Sequence, residues 1–219
     1  MALYKNACML KYLLLLPVML MACRHHALKA PQPATVAPRS IKIIVFGKPT
    51  PHIAILEAQL GQLTHAPVTV QTGKELPGFA WFAPRNRYLA DSLLVFLQNF
   101  RKEPGAYVVG VTTKDISIGP GTSNWGIMGL GYCPGQVCIL SEYRLKRNAK
   151  GALQQQERLL QLALHEMGHN FSLPHCPDTN CLMVSAKGKM TLDGNKYYCS
   201  KCSAVLTKKG ILLRGRQRV

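Results

Sequence analysis

The chain has 219 residues, 47% of them hydrophobic and 17% charged. That composition excludes an intrinsically disordered chain and suits one compact domain or two small lobes with an ample core. The formal charge of +17 at pH 7 is high, and the basic tail, with Lys208, Lys209, Arg214, Arg216 and Arg218, reads as a solvated surface facing anionic lipid or polysaccharide.

Lys5 and Lys11 precede an apolar stretch at 12–20 that is too short to span a bilayer comfortably. Residues 20–23, Leu-Met-Ala-Cys, resemble a bacterial lipobox. That resemblance implies cleavage before Cys23, acylation of its sulfur and an extracytoplasmic, membrane-anchored lipoprotein. A plain secretory signal cut nearby (a secreted or periplasmic protein) and an uncleaved anchor are the alternatives. Loss of Lys5 and Lys11 with the leader takes the charge to +15. Residues 24–40 carry Pro31, Pro33, Pro38 and a His pair, His25 and His26, and read as a solvated tether.

Ser40–Phe46 is a near-continuous apolar run, the signature of a buried strand. Residues 51–63 have helical spacing through Ile53, Leu56, Leu60 and Leu63. Residues 68–70 form a short second strand. Leu89, Leu93, Leu94 and Leu97 predict a helix over 85–100, and 106–111 is another apolar strand. Alternation of strands and helices suggests a twisted, mostly parallel sheet. His52 and His65 have no ligand-type neighbours and read as surface or capping residues. Asp115 reads as a turn or cap residue. Residues 119–137, rich in Gly, read as a loop that leads to a strand at Val137–Ser141. A long helix starts near Ala152, with Leu160, Ala163, Leu164, Met167 and Phe171 on one face.

That helix leads into His165-Glu166-Met167-Gly168-His169 and on to His175. Residues four apart share a helix face, so His165 and His169 can grip one Zn²⁺, and Glu166 can reach a water activated there. His175 could not join them on a continuing helix. Six residues at roughly 100° each would turn it away and carry it roughly 9 Å along the axis. The chain must therefore leave the helix near Phe171 and Ser172 and fold back, which Pro174 favours. Three His ligands leave a fourth position for water, as catalytic sites do. Gly168 lets another segment approach the helix closely.

The pattern resembles the long metzincin motif with its Met-turn. Cys176 after the third His, then Cys181-Leu182-Met183 and Cys199-Ser200-Lys201-Cys202, are similar to the archaemetzincins (archaelysins). The resemblance implies an α/β (α+β) metzincin-like fold. A twisted mixed sheet would carry a backing helix and an active-site helix, with a small zinc-tied C-terminal subdomain. Its boundaries would be a signal peptide at 1–22, a lipid-anchored linker at 23–40, and a catalytic domain at 41–219 with the subdomain from about 172. It further implies two Zn²⁺ per chain: a catalytic one on His165, His169 and His175, and a structural one on Cys176, Cys181, Cys199 and Cys202. Met183 would form the floor of the catalytic site. Glu166 would be the general base of a zinc peptidase acting on peptide or protein substrates. In metzincins an antiparallel edge strand lines the cleft, and by resemblance that role falls to residues 136–140. One departure from the motif is Ser172, where the family has Gly. Here a left-handed conformation would cost roughly 1–2 kcal/mol. No Tyr directly follows Met183, and Tyr197 and Tyr198 lie too far along the sequence to be assigned the role that some metzincins give a Tyr there.

An exported chain can also pair its cysteines as disulfides: 133–138, 176–181 and 199–202 are the options, against zinc for the last four residues and free thiols for the first two. Lys208, Lys209, Arg214, Arg216 and Arg218 beside a Cys-x-x-Cys raise a nucleic-acid module. The export signal and the three-His pattern count against it. The alternative to a peptidase is a non-catalytic extracytoplasmic zinc-binding protein that retains the fold. Glu166 favours the peptidase, because metal binding alone does not require that carboxylate.

Overall fold

The structure, a computed structural model, describes residues 37–119 and 125–217. The expected leader, Cys23 and linker residues 24–36 lie outside the described residues.

The first strand, Ser40–Phe46 (β1), is apolar on both faces because the sheet it joins is covered on both. Ile41, Ile43 and Val45 enter one core, while Ile44 and Phe46 enter a second. Helix His52–Thr64 (α1) puts Ile53, Leu56 and Leu60 into the first core. Strand Val68–Lys74 (β2) runs further than 68–70. As a parallel edge partner of β1, from Ile41↔Val68 to Phe46↔Lys74, it tolerates polar side chains.

The helix expected over 85–100 is shorter. Strand Trp81–Phe82 (β3) pairs with Arg87–Leu89 (β4), which continues into helix Ala90–Leu97 (α2). Asn86, with φ of 51°, breaks the chain direction just before β4. Pairing with distant strands outweighs local helical spacing there. Leu97 of α2 packs where strand Ala106–Thr112 (β5) has Gly110: a Cβ at 110 would lie 2.5 Å from Leu97 Cδ1.

Short strands Ile116–Ser117 (β6), Gly126–Ile127 (β7) and Gly129–Gly131 (β8) precede Val137–Ser141 (β9). The main sheet runs β2-β1-β5-β9-β8, with β8 antiparallel to β9 and the other pairs parallel. A smaller sheet runs β3-β4-β6-β7. The expectation that residues 136–140 form the edge is therefore corrected. β9 lies between β5 and β8 with every residue buried, and β8 is the edge. β8 carries no strand signal in the sequence because Gly-Leu-Gly lacks strand-forming side chains.

Helix Ala152–Asn170 (α3) packs on β8, β9 and α1, and helix Ser200–Lys208 (α4) follows the last two cysteines. Asp115 is more than a turn residue. It bridges Arg87 at 2.7 Å and Arg144 at 2.8 Å. His52 pairs with Glu142 at 2.8 Å, and His65 ends α1 in a left-handed conformation with its N–H on Gly61 O.

Candidate metal centre

α3 is fixed by its buried face before it presents any polar group. Leu159, Leu160, Leu162, Ala163, Leu164 and Met167 all enter the first core. His165 and His169, four apart, then emerge on the face that lines a cleft of about 980 Å³.

The helix ends in a double reversal. Leu173 N–H donates to Gly168 O at 3.0 Å and Ser172 N–H to His169 O at 2.9 Å, with Ser172 at φ 71°. This is a Schellman motif with Ser where Gly is usual. The backbone folds back where the motif required it, and His175 returns to its partners. The ring centroids lie 4.9 Å apart for His165 and His169, 4.8 Å for His169 and His175, and 5.5 Å for His165 and His175. Each residue offers a ligand nitrogen within 4.8 Å of the others.

The left-handed Ser172 costs about 1–2 kcal/mol relative to Gly, part of which is returned by the greater unfolded-state freedom of Gly. Ser172→Gly should therefore stabilise the protein by about 1 kcal/mol, a rise of about 2–4 °C in melting temperature. Calorimetry checks this. A lower melting temperature would mean that the Lys209 Nζ to Ser172 Oγ bond, 3.3 Å, holds the turn more strongly than the backbone resists it.

The donor set suits a metal. His165 Nδ1 lies 2.7 Å from Leu182 O and His169 Nδ1 lies 2.8 Å from Leu173 O. Those nitrogens donate to the carbonyls, which leaves Nε2 of each ring as the lone-pair bearer. Burial pushes His165 down to about 4 and also lowers His169 and His175, so the rings are neutral at pH 7, as ligation requires. Met183 is fully buried, with Sδ against the Gly168 turn: a Cβ there would lie 2.5 Å away. Gly168 thus admits the Met183 thioether against the helix turn between His165 and His169.

Glu166 is buried against β8. A Cβ at Gly129 would lie 2.7 Å from Glu166 Oε1, and one at Gly131 2.5 Å from Glu166 O. The two glycines are why this edge strand can lie directly on α3. Burial pushes the Glu166 carboxyl up to about 8, and the Gly131 N–H pulls it back. A dication on the three imidazoles would pull it down further. These glycines were not singled out in the sequence. The signal for them was Gly-x-Gly just ahead of an apolar strand.

Cys176, Cys181, Cys199 and Cys202 form a second cluster. Sγ of Cys176 and Cys199 are 3.8 Å apart, as are those of Cys181 and Cys202. Four sulfurs at about 2.3 Å from a tetrahedral zinc lie about 3.8 Å apart, whereas a disulfide needs about 2.05 Å. The 176–181 and 199–202 pairings are not formed, since all four residues are free cysteines. The N–H groups of Met183 and Cys199 point to Cys181 Sγ at 3.5 and 3.3 Å, which favours thiolate. Burial raises Cys181 and Cys202. Burial also opposes ionisation of Cys199, but the Cys202 N–H and the neighbouring thiols outweigh it and lower its pKa. Cys199 also caps the N-terminus of α4, where the helix dipole favours negative charge.

The 133–138 disulfide is also absent. Cys138 points from β9 into the first core, while Cys133 is exposed at the cleft, its thiol 3.6 Å from Leu173 O. Tyr198 is fully buried and its hydroxyl donates to Leu164 O at 2.7 Å, tying the C-terminal segment to α3 rather than facing the cleft. Another feature the sequence reading passed over is Arg158, only 3% exposed. Its guanidinium holds the Asp193 carboxylate at 2.7 Å and donates to Leu145 O and Arg147 O.

The chain as a whole resembles known proteins. The family model described as peptidase family M54 matches residues 67–208. An archaemetzincin of Methanopyrus kandleri is 32% identical over 135 residues, covering 61% of this chain and 74% of the relative. The crystal structure of the Methanopyrus kandleri archaemetzincin superposes with a TM-score of 0.66 at 26% identity, over 79% of this chain and 96% of that one. A zinc-dependent peptidase structure from Methanocorpusculum labreanum shares the fold, with a TM-score of 0.65 at 23% identity, over 76% of this chain and all of that one.

Proposed function

The chain belongs to peptidase family M54, the archaemetzincins, and from that premise we propose that its zinc peptidase activity resides at His165, His169, His175 and Glu166. The observation that carries this reading is the convergence of three neutral imidazoles and one carboxylate in a single cleft.

Zinc, when bound, supplies a Lewis acid that polarises a carbonyl and makes a water acidic enough to attack. His165, His169 and His175 hold it, with the Leu182 and Leu173 carbonyls keeping the first two rings in the ligating tautomer. Glu166 takes a proton from the attacking water as the new C–O bond forms. It passes that proton to the amide nitrogen as the C–N bond breaks. β8, the edge of the main sheet among the described residues and beside Glu166, is positioned to bind an extended peptide through main-chain hydrogen bonds. The role that resemblance gave to residues 136–140 moves to Gly129–Gly131.

A second zinc on Cys176, Cys181, Cys199 and Cys202 ties the C-terminal segment to the reversal that carries His175. The 3.8 Å sulfur spacing supports it. Anchoring by an acylated Cys23 belongs to the same reading and is supported by residues 5–23 alone. A non-catalytic zinc protein is not favoured, because Glu166 is kept beside the three imidazoles.

Treatment with a zinc chelator should abolish cleavage of a mixed peptide library, and stoichiometric zinc should restore it. Cleavage that persists in protein freed of metal at the three imidazoles, verified by metal counting, would overturn this reading.

A further inference from the structure

We propose that one end of the cleft, bounded by residues 144–147 and 187–192, selects peptide substrates that carry acidic side chains near the scissile bond. The proposal rests on the peptidase reading and specifies its substrate class.

Among the described residues five cationic side chains line the cleft, and Glu166 is its one acidic lining residue. Arg144 is committed to Asp115, with contacts at 2.8 and 2.9 Å. The other four, Lys146, Arg147, Lys187 and Lys189, are exposed and have no carboxylate partner among the described residues. The carboxylate nearest in the chain to the second pair, Asp193, is taken by Arg158.

Arg158 also explains why these four charges are gathered. Its Nη1 donates to the backbone of the 144–147 turn at 2.7 and 2.9 Å, while Nε and Nη2 hold Asp193 just beyond the 187–192 segment. One buried guanidinium therefore fastens two basic segments to α3, beside the catalytic helix face. The Asp115 bridge and the Asp193 bridge both neutralise local acids, so the field that reaches the cleft is positive.

Like charges on the walls of a concave site focus their potential and concentrate anions there. Lys187 follows Met183 by four residues, a span of at most about 14 Å. Val184 lies next to Met183 and, like Lys187, Lys189 and the three imidazoles, lines the same cleft, so an acidic side chain within about four residues of the scissile bond can reach this end of it. The sign of the field then selects Asp or Glu over Asn or Gln at the same place.

The test uses peptides that differ only in Glu against Gln within four residues on either side of the cleaved bond. Wild type should cleave the acidic member with kcat/KM about tenfold higher at low ionic strength, the gap closing in high salt. Lys187→Gln with Lys189→Gln, shown to be folded by its melting temperature, should bring the ratio to about two. Lys102→Gln with Lys208→Gln, which removes the same charge elsewhere, should leave it near ten. Binding of dye-labelled peptides to Glu166→Gln protein reads the preference without turnover. Equal handling of acidic and amide peptides by wild type, or an equal collapse of the ratio in both double variants, would overturn the proposal. A tenfold binding preference with no cleavage of any peptide would instead uphold the recognition and remove the peptidase reading.

Discussion

Glu166→Gln should lower peptide hydrolysis by about 10²–10⁴-fold while zinc content and melting temperature stay close to wild type. The substitution keeps the size of the side chain and removes only its ability to accept a proton. Its surroundings make the loss hard to repair. Glu166 is 5% exposed, so bulk water and buffer have little access to stand in for it. Gly129 and Gly131 press β8 against it, leaving no room for another residue to swing into its place. No other carboxylate lines the cleft among the described residues. The ligands are untouched, since His165 and His169 take their orientation from the Leu182 and Leu173 carbonyls. Metal counting alongside the rate measurement separates loss of the base from loss of the metal. A variant that keeps its zinc and hydrolyses peptides at the wild-type rate would remove Glu166 from the mechanism.

Cys202→Ser should have the largest effect on stability. It should halve a zinc content of two per chain and lower stability by about 3–5 kcal/mol, a fall of roughly 6–20 °C in melting temperature. The expected loss is below the free energy of a structural zinc in a small finger, about 10–16 kcal/mol, because other contacts remain. Tyr198 still ties the C-terminal segment to α3 through Leu164 O, and Leu206, Ile211 and Leu213 stay in the first core. Activity should fall as well, although Cys202 lies outside the cleft lining. Cys176 adjoins His175, and its N–H donates to Met183 O at 2.8 Å. Loosening the sulfur cluster therefore loosens both the third imidazole and the Met183 segment bonded to Cys176. A variant with unchanged zinc content and melting temperature would mean that the four thiols carry no metal.

Much of the site was legible because its geometry is local. His165 and His169 needed only the helical repeat, and the apolar face from Leu160 to Phe171 showed that a helix was there. The reversal at Ser172 followed from where His175 had to arrive, and φ of 71° is what that demand costs a residue with a Cβ. Errors arose where distant segments decide. Residues 85–100 have helical spacing, yet 87–89 pair as a strand with β3 and β6. Residues 119–137 lack any strand pattern, yet 129–131 form the edge of the main sheet.

What the sequence determined by itself is the chemistry: which imidazoles, which carboxylate and which thiols, since covalent spacing along one helix and one turn sets their order and reach. What only the tertiary structure decided is their setting. The strand beside Glu166, the pairing of Asp193 with Arg158 and of Asp115 with Arg87 and Arg144, and so the residual positive charge of the cleft, all depend on segments 28 to 37 residues apart in the chain. Such contacts form only when several elements bury their apolar faces together, and no periodicity within a single segment encodes them.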